Sequence, residues 1–192
     1  EKYEASFFDV FDTQTQIIGY ASSKEQFSEQ MSLIKDKFQY YNDLYDIYHD
    51  YEGMNNIKTI NDNAGIQPVK VDEEIIELLK LGITMDEKTD GNMNIAMGSV
   101  LSIWHDYREA GSEDPYSAEL PPMDELERAA EHTDIHDIVI DEEASTVYLT
   151  DPDMSLDVGS IGKGYAVQKV AEYAKNELGI QYMLFSVGGN VC

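Results

Sequence analysis

The ten residues from Asp157 to Ala166, DVGSIGKGYA, combine the types and spacing best suited to chemistry in this chain. A strand delivers the Asp157 carboxylate, glycines at 159, 162 and 164 permit unusual backbone angles and close ligand approach, and a helix begins at once. Free N–H groups at a helix start, with the helix dipole behind them, favour an anion such as a phosphate. Lys163 adds a positive charge there, although a lysine at a helix start serves equally well as a plain surface residue. The segment is not a Walker A loop, because GxxxxGK[ST] is absent, and it is not GxGxxG. Read alone, a strand, glycine turn and helix form a structural joint more often than a ligand site. Elsewhere the residues promise less. His132 and His136 stand at i and i+4 in HTDIH, but the Glu of HExxH is missing and the segment leaves a helix, so a zinc site is not expected. His105 beside Trp104 reads as a partly exposed polar residue, Asp151 to Asp153 as a solvated turn, and Asp90-Gly91 as a helix stop.

The elements that must position these groups can be read from periodicity. Residues 7–20 read as one strand, bent at most. Phe27, Met31, Ile34, Phe38, Tyr41, Tyr45 and Tyr48 recur at steps of four and three, one apolar stripe of a long helix capped by Ser22 or Ser23. This stripe reads as core, with only Tyr48 a ligand candidate. Residues 49–65 read as loop and short turns, and 72–88 as an amphipathic helix capped by Asp72 and stopped by Thr89-Asp90-Gly91. A turn and a short helix follow in NMNIAMGSVLSIWHDYREAG, then an exposed loop over 112–122 and a short helix from Asp124 to His132. DIVID-EEAS-TVYLT has hairpin chemistry, Leu156 to Ser160 reads as strand into turn, and Lys163 to Leu178 as a helix. A last strand, YMLFSV, runs into Gly188-Gly189-Asn190, a turn that ordinarily leads to a further element. The mixture reads as α+β.

With 13 Lys and Arg against 38 Asp and Glu, the formal net charge is −25. That balance excludes a general nucleic-acid binder, which needs basic patches to replace released counterions. It also argues against lying on an anionic membrane surface. Tyr 13, Phe 6 and Met 8 supply a core, so the acidity does not imply disorder. Cys192 is the sole cysteine, which excludes an intrachain disulfide and is neutral on compartment. No apolar run approaches the roughly 18–20 residues that span a bilayer.

DVGSIGKGYAVQKVAEY, followed about a dozen residues on by a strand and VGGN, resembles the signature of the ApbE family, the FAD:protein FMN transferases. Three further blocks stand in the family's order. Phe11-Asp12-Thr13 is similar to its N-terminal block, LYDIY (44–48) leading to Asn61 to its aromatic segment, and TDGNMNIAMGS (89–99) with Trp104 to its S-D-G-A-F-D-P-T-V-G-P block. The resemblance implies an ApbE-like, T-fold-related α+β domain, a mixed sheet packed with helices, of which residues 1–192 are the N-terminal portion. It implies Mg²⁺-dependent transfer of FMN from FAD to a Thr hydroxyl of an acceptor redox protein, with release of AMP. The acceptor would be a subunit of a membrane redox complex. The protein would be extracytoplasmic, lipid-anchored to the outer face of the cytoplasmic membrane, its export signal outside this sequence.

Carried over position by position, the resemblance implies that Asp157 contacts FAD and that Ser160 gives a backbone carbonyl to Mg²⁺. Phe11 stands where the family has a Met against the flavin. Tyr48 would stack on a flavin or adenine ring, with Tyr51 the alternative by its spacing to Asn61. Asn92, Met93 and Asn94 would contact the cofactor, Lys163 would neutralise phosphate, and Gly188 and Gly189 would let backbone approach the nucleotide. Met93 and Asn94 replace the family's Phe and Asp. The family's other metal ligands, an Asp and a Thr, lie downstream of its Gly-Gly turn, so these 192 residues alone are expected to be inactive. No catalytic base is evident. Two alternatives stand beside this: a flavin-binding or flavin-scavenging protein that keeps the fold without turnover, which Asn94 in place of Asp favours, and an acidic interaction domain.

Overall fold

A computed structural model describes residues 1–11 and 13–192, and of Asp9 the backbone alone. Asp12, the middle residue of the first family-like block, lies outside the described residues. In chain order the elements are β1 (Lys2–Val10), β2 (Thr13–Tyr20), α1 (Lys24–Leu44), α2 (Ile57–Asp62), β3 (Val69–Lys70), α3 (Glu73–Lys88) and α4 (Gly98–Glu113). There follow α5 (Met123–Ala130), β4 (Ile138–Asp141), β5 (Thr146–Leu149), α6 (Gly162–Asn176), β6 (Met183–Val187) and β7 (Asn190–Val191). The chain divides into two compact units, one formed by Glu1–Leu44 with Ile161–Cys192, the other by Tyr45–Ser160. The α+β class is as expected. All paired strands are antiparallel, and the one parallel pairing among the described residues is the isolated bridge Met97–Ser155.

The first unit is a four-stranded sheet, order β1-β2-β6-β7, covered by α1 and α6. Alternation along β2 buries Thr15, Ile17 and Gly19, as a half-buried strand requires. Helix α1 turns Phe27, Met31, Ile34, Phe38, Tyr41 and Leu44 inward. Phe38 packs between Phe7 and Phe185, at ring distances of 6.2 and 6.0 Å. The single strand expected over 7–20 is instead a hairpin that reverses at Phe11, where φ is +53°. Its sequence carries no Gly or Asn turn signal. The support is tertiary, since the Phe11 N–H donates to Asn42 Oδ1 on α1 at 2.8 Å. The apolar stripe also outruns its helix: α1 ends at Leu44, and Tyr45 is buried beyond it while Tyr48 is exposed.

The second unit packs helices α2 to α5 with a small sheet, order β3-β5-β4, whose β4–β5 hairpin is as expected. Its core includes Ile57, Ile60, Ile75, Leu78, Leu79, Ile95 and Leu149, all within 1% of full burial. Residues 49–65, expected as loop, contain α2. Asn56 and Thr59 close a reciprocal capping box at its start, which makes so short a helix tenable. Asp72 caps α3 as expected. Helix α4 is longer than the short helix expected, and Leu156 to Ser160 is not a strand. No helix among the described residues is long and apolar enough to cross a membrane.

Candidate functional site

Helix α4 buries only Gly98 and Val100. Leu101, Trp104, His105, Arg108 and Gly111 recur at i, i+3, i+4, i+7 and i+10, so they share one face. That face lines a cavity of about 520 Å³, closed on other sides by Tyr48, Asp157 and the 118–120 loop. An adjoining cavity of about 370 Å³ shares Tyr48, Leu101, His105 and Asp157 and reaches Asn61 and Ser155. Trp104 is 43% exposed and Tyr48 54%, so both rings wall an open space instead of filling a core. Cavities of this size suit small molecules and cofactors.

Tyr48 owes its position to Asp46. One carboxylate oxygen, Oδ1, accepts the N–H of Tyr48 at 2.6 Å and that of His49 at 3.3 Å. The other, Oδ2, accepts the Tyr51 hydroxyl at 2.7 Å and meets His49 Nδ1 at 2.9 Å. Burial raises the Asp46 pKa, but these hydrogen bonds outweigh it and hold the group below its ordinary value. Of the two candidate stacking tyrosines, Tyr48 lines the cavity, whereas the Tyr51 hydroxyl is tied to Asp46. Burial and the Asp157 charge push the Tyr48 phenol upward against a smaller opposing effect of Arg108, so it stays protonated at neutral pH. Its ring lies 5.2 Å from that of His105, tilted by 31°.

Asp157 is held by backbone on both sides. Its N–H donates to the Ile95 carbonyl at 2.9 Å, and the Gly98 N–H donates to the Ser155 carbonyl at 2.9 Å. A Cβ on Gly98 would stand 2.4 Å from that carbonyl oxygen, so only glycine permits the approach. Asn61 clamps the same segment, accepting the Leu156 N–H at 2.7 Å and donating to the Leu156 carbonyl at 3.0 Å. Asp157 Oδ1 then accepts the Gly159 N–H at 2.8 Å, which turns the chain toward the exposed Ser160. The Ser160 carbonyl takes no backbone hydrogen bond among the described residues.

The remaining candidates fall in two groups. In the second unit, Asn92 Nδ2 donates to the Thr89 carbonyl at 2.6 Å, and the Met93 N–H to Thr89 Oγ1 at 3.0 Å. Asn94 Oδ1 accepts the Ala96 N–H at 2.7 Å while its Nδ2 donates to the Thr133 carbonyl at 2.8 Å. An ionised aspartate could not make that second bond. In the first unit, Lys163 lies in the first turn of α6, and Gly188 and Gly189 form the β6–β7 turn with φ of +52° and +94°. A Cβ on Gly188 would meet Thr13 Oγ1 at 2.5 Å, so its glycine also answers a structural demand. Phe11 sits at the apex of the first hairpin in this unit.

Several functional-looking residues escaped sequence reading. Asp46 announces itself only by its distance of two residues from Tyr48, and Arg108 only by its helical phase with Leu101 and Trp104. Asp151 to Asp153 is a turn with Pro152 and Asp153 exposed, as expected, but the Asp151 carboxylate is engaged: its Oδ2 lies 2.7 Å from His132 Nδ1, and its Oδ1 accepts the Asp153 N–H at 2.9 Å. His132, Asp151 and Asp153 bring ligand-type atoms within 4.8 Å of one another, and His136 is not part of the group.

This α+β fold carries, in its second unit, an open cavity walled by Tyr48, Trp104 and Asp157. Residues 11–192 match the ApbE family, and the chain belongs to it. It is 29% identical over 135 residues to the FAD:protein FMN transferase of Klebsiella pneumoniae (strain 342), covering 70% of this chain and 40% of that protein. To the FAD:protein FMN transferase of Escherichia coli (strain K12) it is 24% identical over 159 residues, covering 81% and 44%. Its fold matches the crystal structure of the ApbE protein of Thermotoga maritima with a TM-score of 0.80 at 23% identity, across 100% of this chain and 58% of that one. The flavin transferase ApbE of Vibrio cholerae gives a TM-score of 0.76 at 21% identity, again across 100% and 58%. The chain thus spans less than half the length of these two sequence relatives.

Proposed function

We propose that the complete protein is an FAD:protein FMN transferase. The observation that carries this is the open cavity in which exposed Tyr48 and Trp104 meet the Asp157 carboxylate, within the segment that resembles the family signature. Planar rings gain from stacking on such side chains, and a preset cavity orients the reacting phosphorus at little entropic cost. In the reaction, the acceptor Thr Oγ attacks the phosphorus of the FMN half of FAD. The bond from that phosphorus to the bridging diphosphate oxygen breaks, AMP leaves with the bond's electron pair, and the hydroxyl proton is released. Tyr48 and Trp104 would hold the ring system and Asp157 would orient the ribityl or ribose hydroxyls.

Magnesium, when bound, would neutralise diphosphate oxygens. Ser160 supplies one neutral carbonyl, whereas the ion takes about six oxygens with carboxylate among them. These residues alone therefore do not form a magnesium site, and the ion enters the proposal through the family resemblance. An acceptor in a membrane redox complex, and a location on the outer face of the cytoplasmic membrane by a lipid anchor, belong to the same proposal. Incubating the full-length protein with FAD, Mg²⁺ and a peptide carrying the target Thr should add an FMN-sized mass to the peptide. Unmodified peptide would overturn the transferase reading. One observation favours a second reading, a flavin binder without turnover: Asn94 stands for Asp and its amide is engaged with backbone. Stoichiometric FAD with no AMP release would support it.

A further inference from the structure

The cavity raises an electrostatic problem. Asp157 and Glu119 line it, and in a chain of net charge −25 they should repel any phosphate. Among the residues lining it, Arg108 is the only permanent cation. Its side chain is not idle in its orientation. Arg108 Nη2 lies 2.7 Å from His105 Nδ1, and a guanidinium can only donate, so Nδ1 is the acceptor and the imidazole proton sits on Nε2. Nε2 in turn faces Glu109 Oε1 at 3.4 Å. Arg108, His105 and Glu109 thus form a directed chain along α4 that fixes the guanidinium beside Tyr48 with one of its five donors engaged. No carboxylate lies in ion-pair contact with Arg108 among the described residues. Lys58, Lys80 and Arg128 of the same unit, by contrast, are each paired with an acid.

We propose that Arg108 is the anion-reading residue of this cavity: its free guanidinium donors bind a phosphate of the flavin nucleotide whose ring stacks on Tyr48 or Trp104, and His105 and Glu109 aim it. The inference deepens the flavin reading of the site and rests on it. The planar fork suits a phosphate bidentately, and its charge offsets the acids that would otherwise exclude one. Arg108 thereby selects phosphorylated flavins over riboflavin, which has the same ring and no anion.

Flavin fluorescence titrations with the full-length protein test this at fixed ionic strength, using FAD, FMN and riboflavin against wild type, Arg108→Gln and Arg108→Lys. The expected result is a loss of about tenfold in FAD and FMN affinity for Arg108→Gln, with riboflavin within twofold of wild type. Arg108→Lys should recover part of the loss, and that part should vanish at high salt. Equal loss for all three ligands would assign Arg108 to packing and overturn the proposal, as would no loss for any. A wild type that binds none of the three would overturn the flavin reading itself, a distinct failure. Arg108 is exposed, so unfolding transitions of the variants should match wild type.

Discussion

Two carboxylates in this chain, Asp46 and Asp151, each hold a neighbouring residue in place, one through the Tyr48 backbone N–H and the other through the His132 imidazole. The His132–Asp151 hydrogen bond raises the His132 pKa above its ordinary 6.5. The Asp153 N–H, followed by His132, lowers that of Asp151 below 3.8. His132 therefore contributes stability that is complete below pH 6.5 and lost as pH rises through its raised folded value. Asp151 contributes stability present above pH 3.8 and lost as pH falls through its depressed one. The pair is strongest between those limits. Asp151→Asn should bring the His132 midpoint, followed by NMR, down toward 6.5, and an unmoved midpoint would contradict the assignment. Asn61 acts by the same logic without charge. Asn61→Ala removes both bonds to Leu156, so unfolding should cost ~1–3 kcal/mol less and FAD affinity should fall, because Asp157 loses its support. Full stability with full affinity would show the clamp to be dispensable.

At the scale of elements, the site depends on backbone pieces too irregular for periodicity to register. The segment 155–158 is neither strand nor helix. It is held by one parallel bridge to Met97, by the Ile95 carbonyl and by Asn61 on α2. The bridge needs Gly98 at the first position of α4, where the Ser155 carbonyl leaves no room for a methyl group. Gly98→Ala should destabilise by ~1–3 kcal/mol in denaturant titrations, by forcing the two backbones apart. Wild-type stability would mean that the segment yields cheaply. Helix α4 itself was legible as a helix, but its apolar residues gave no sign that they face a cavity. Leu101 and Trp104 have the spacing of a core stripe, yet they stay 42% and 43% exposed. The first hairpin was illegible for a different reason. Phe11 takes a positive φ unusual for an aromatic, held by an Asn42 that is 31 residues away.

For the whole molecule, the charge of −25 is the property most easily tested. Self-repulsion among 38 acids opposes compaction, and the ion pairs among the described residues are few and exposed. Raising salt from about 10 mM to about 200 mM should therefore raise the thermal midpoint, because the Debye length falls from roughly 30 Å toward 8 Å. A flat or falling midpoint would mean that the acids are spaced widely enough not to interact. By itself the sequence determined the α+β class, the principal helices with the Asp72 cap, the β4–β5 hairpin and the family, because each rests on local pattern or on ordered motifs. Tertiary structure alone decided which residues of those motifs share a cavity. Tyr48, Arg108 and Asp157 stand 60 and 49 residues apart in turn, and no local rule couples them. They meet because Asp46, the Gly98 contact and the Asn61 clamp each fix a turn whose geometry is set by hydrogen bonds and close approach, and those leave no period in the sequence.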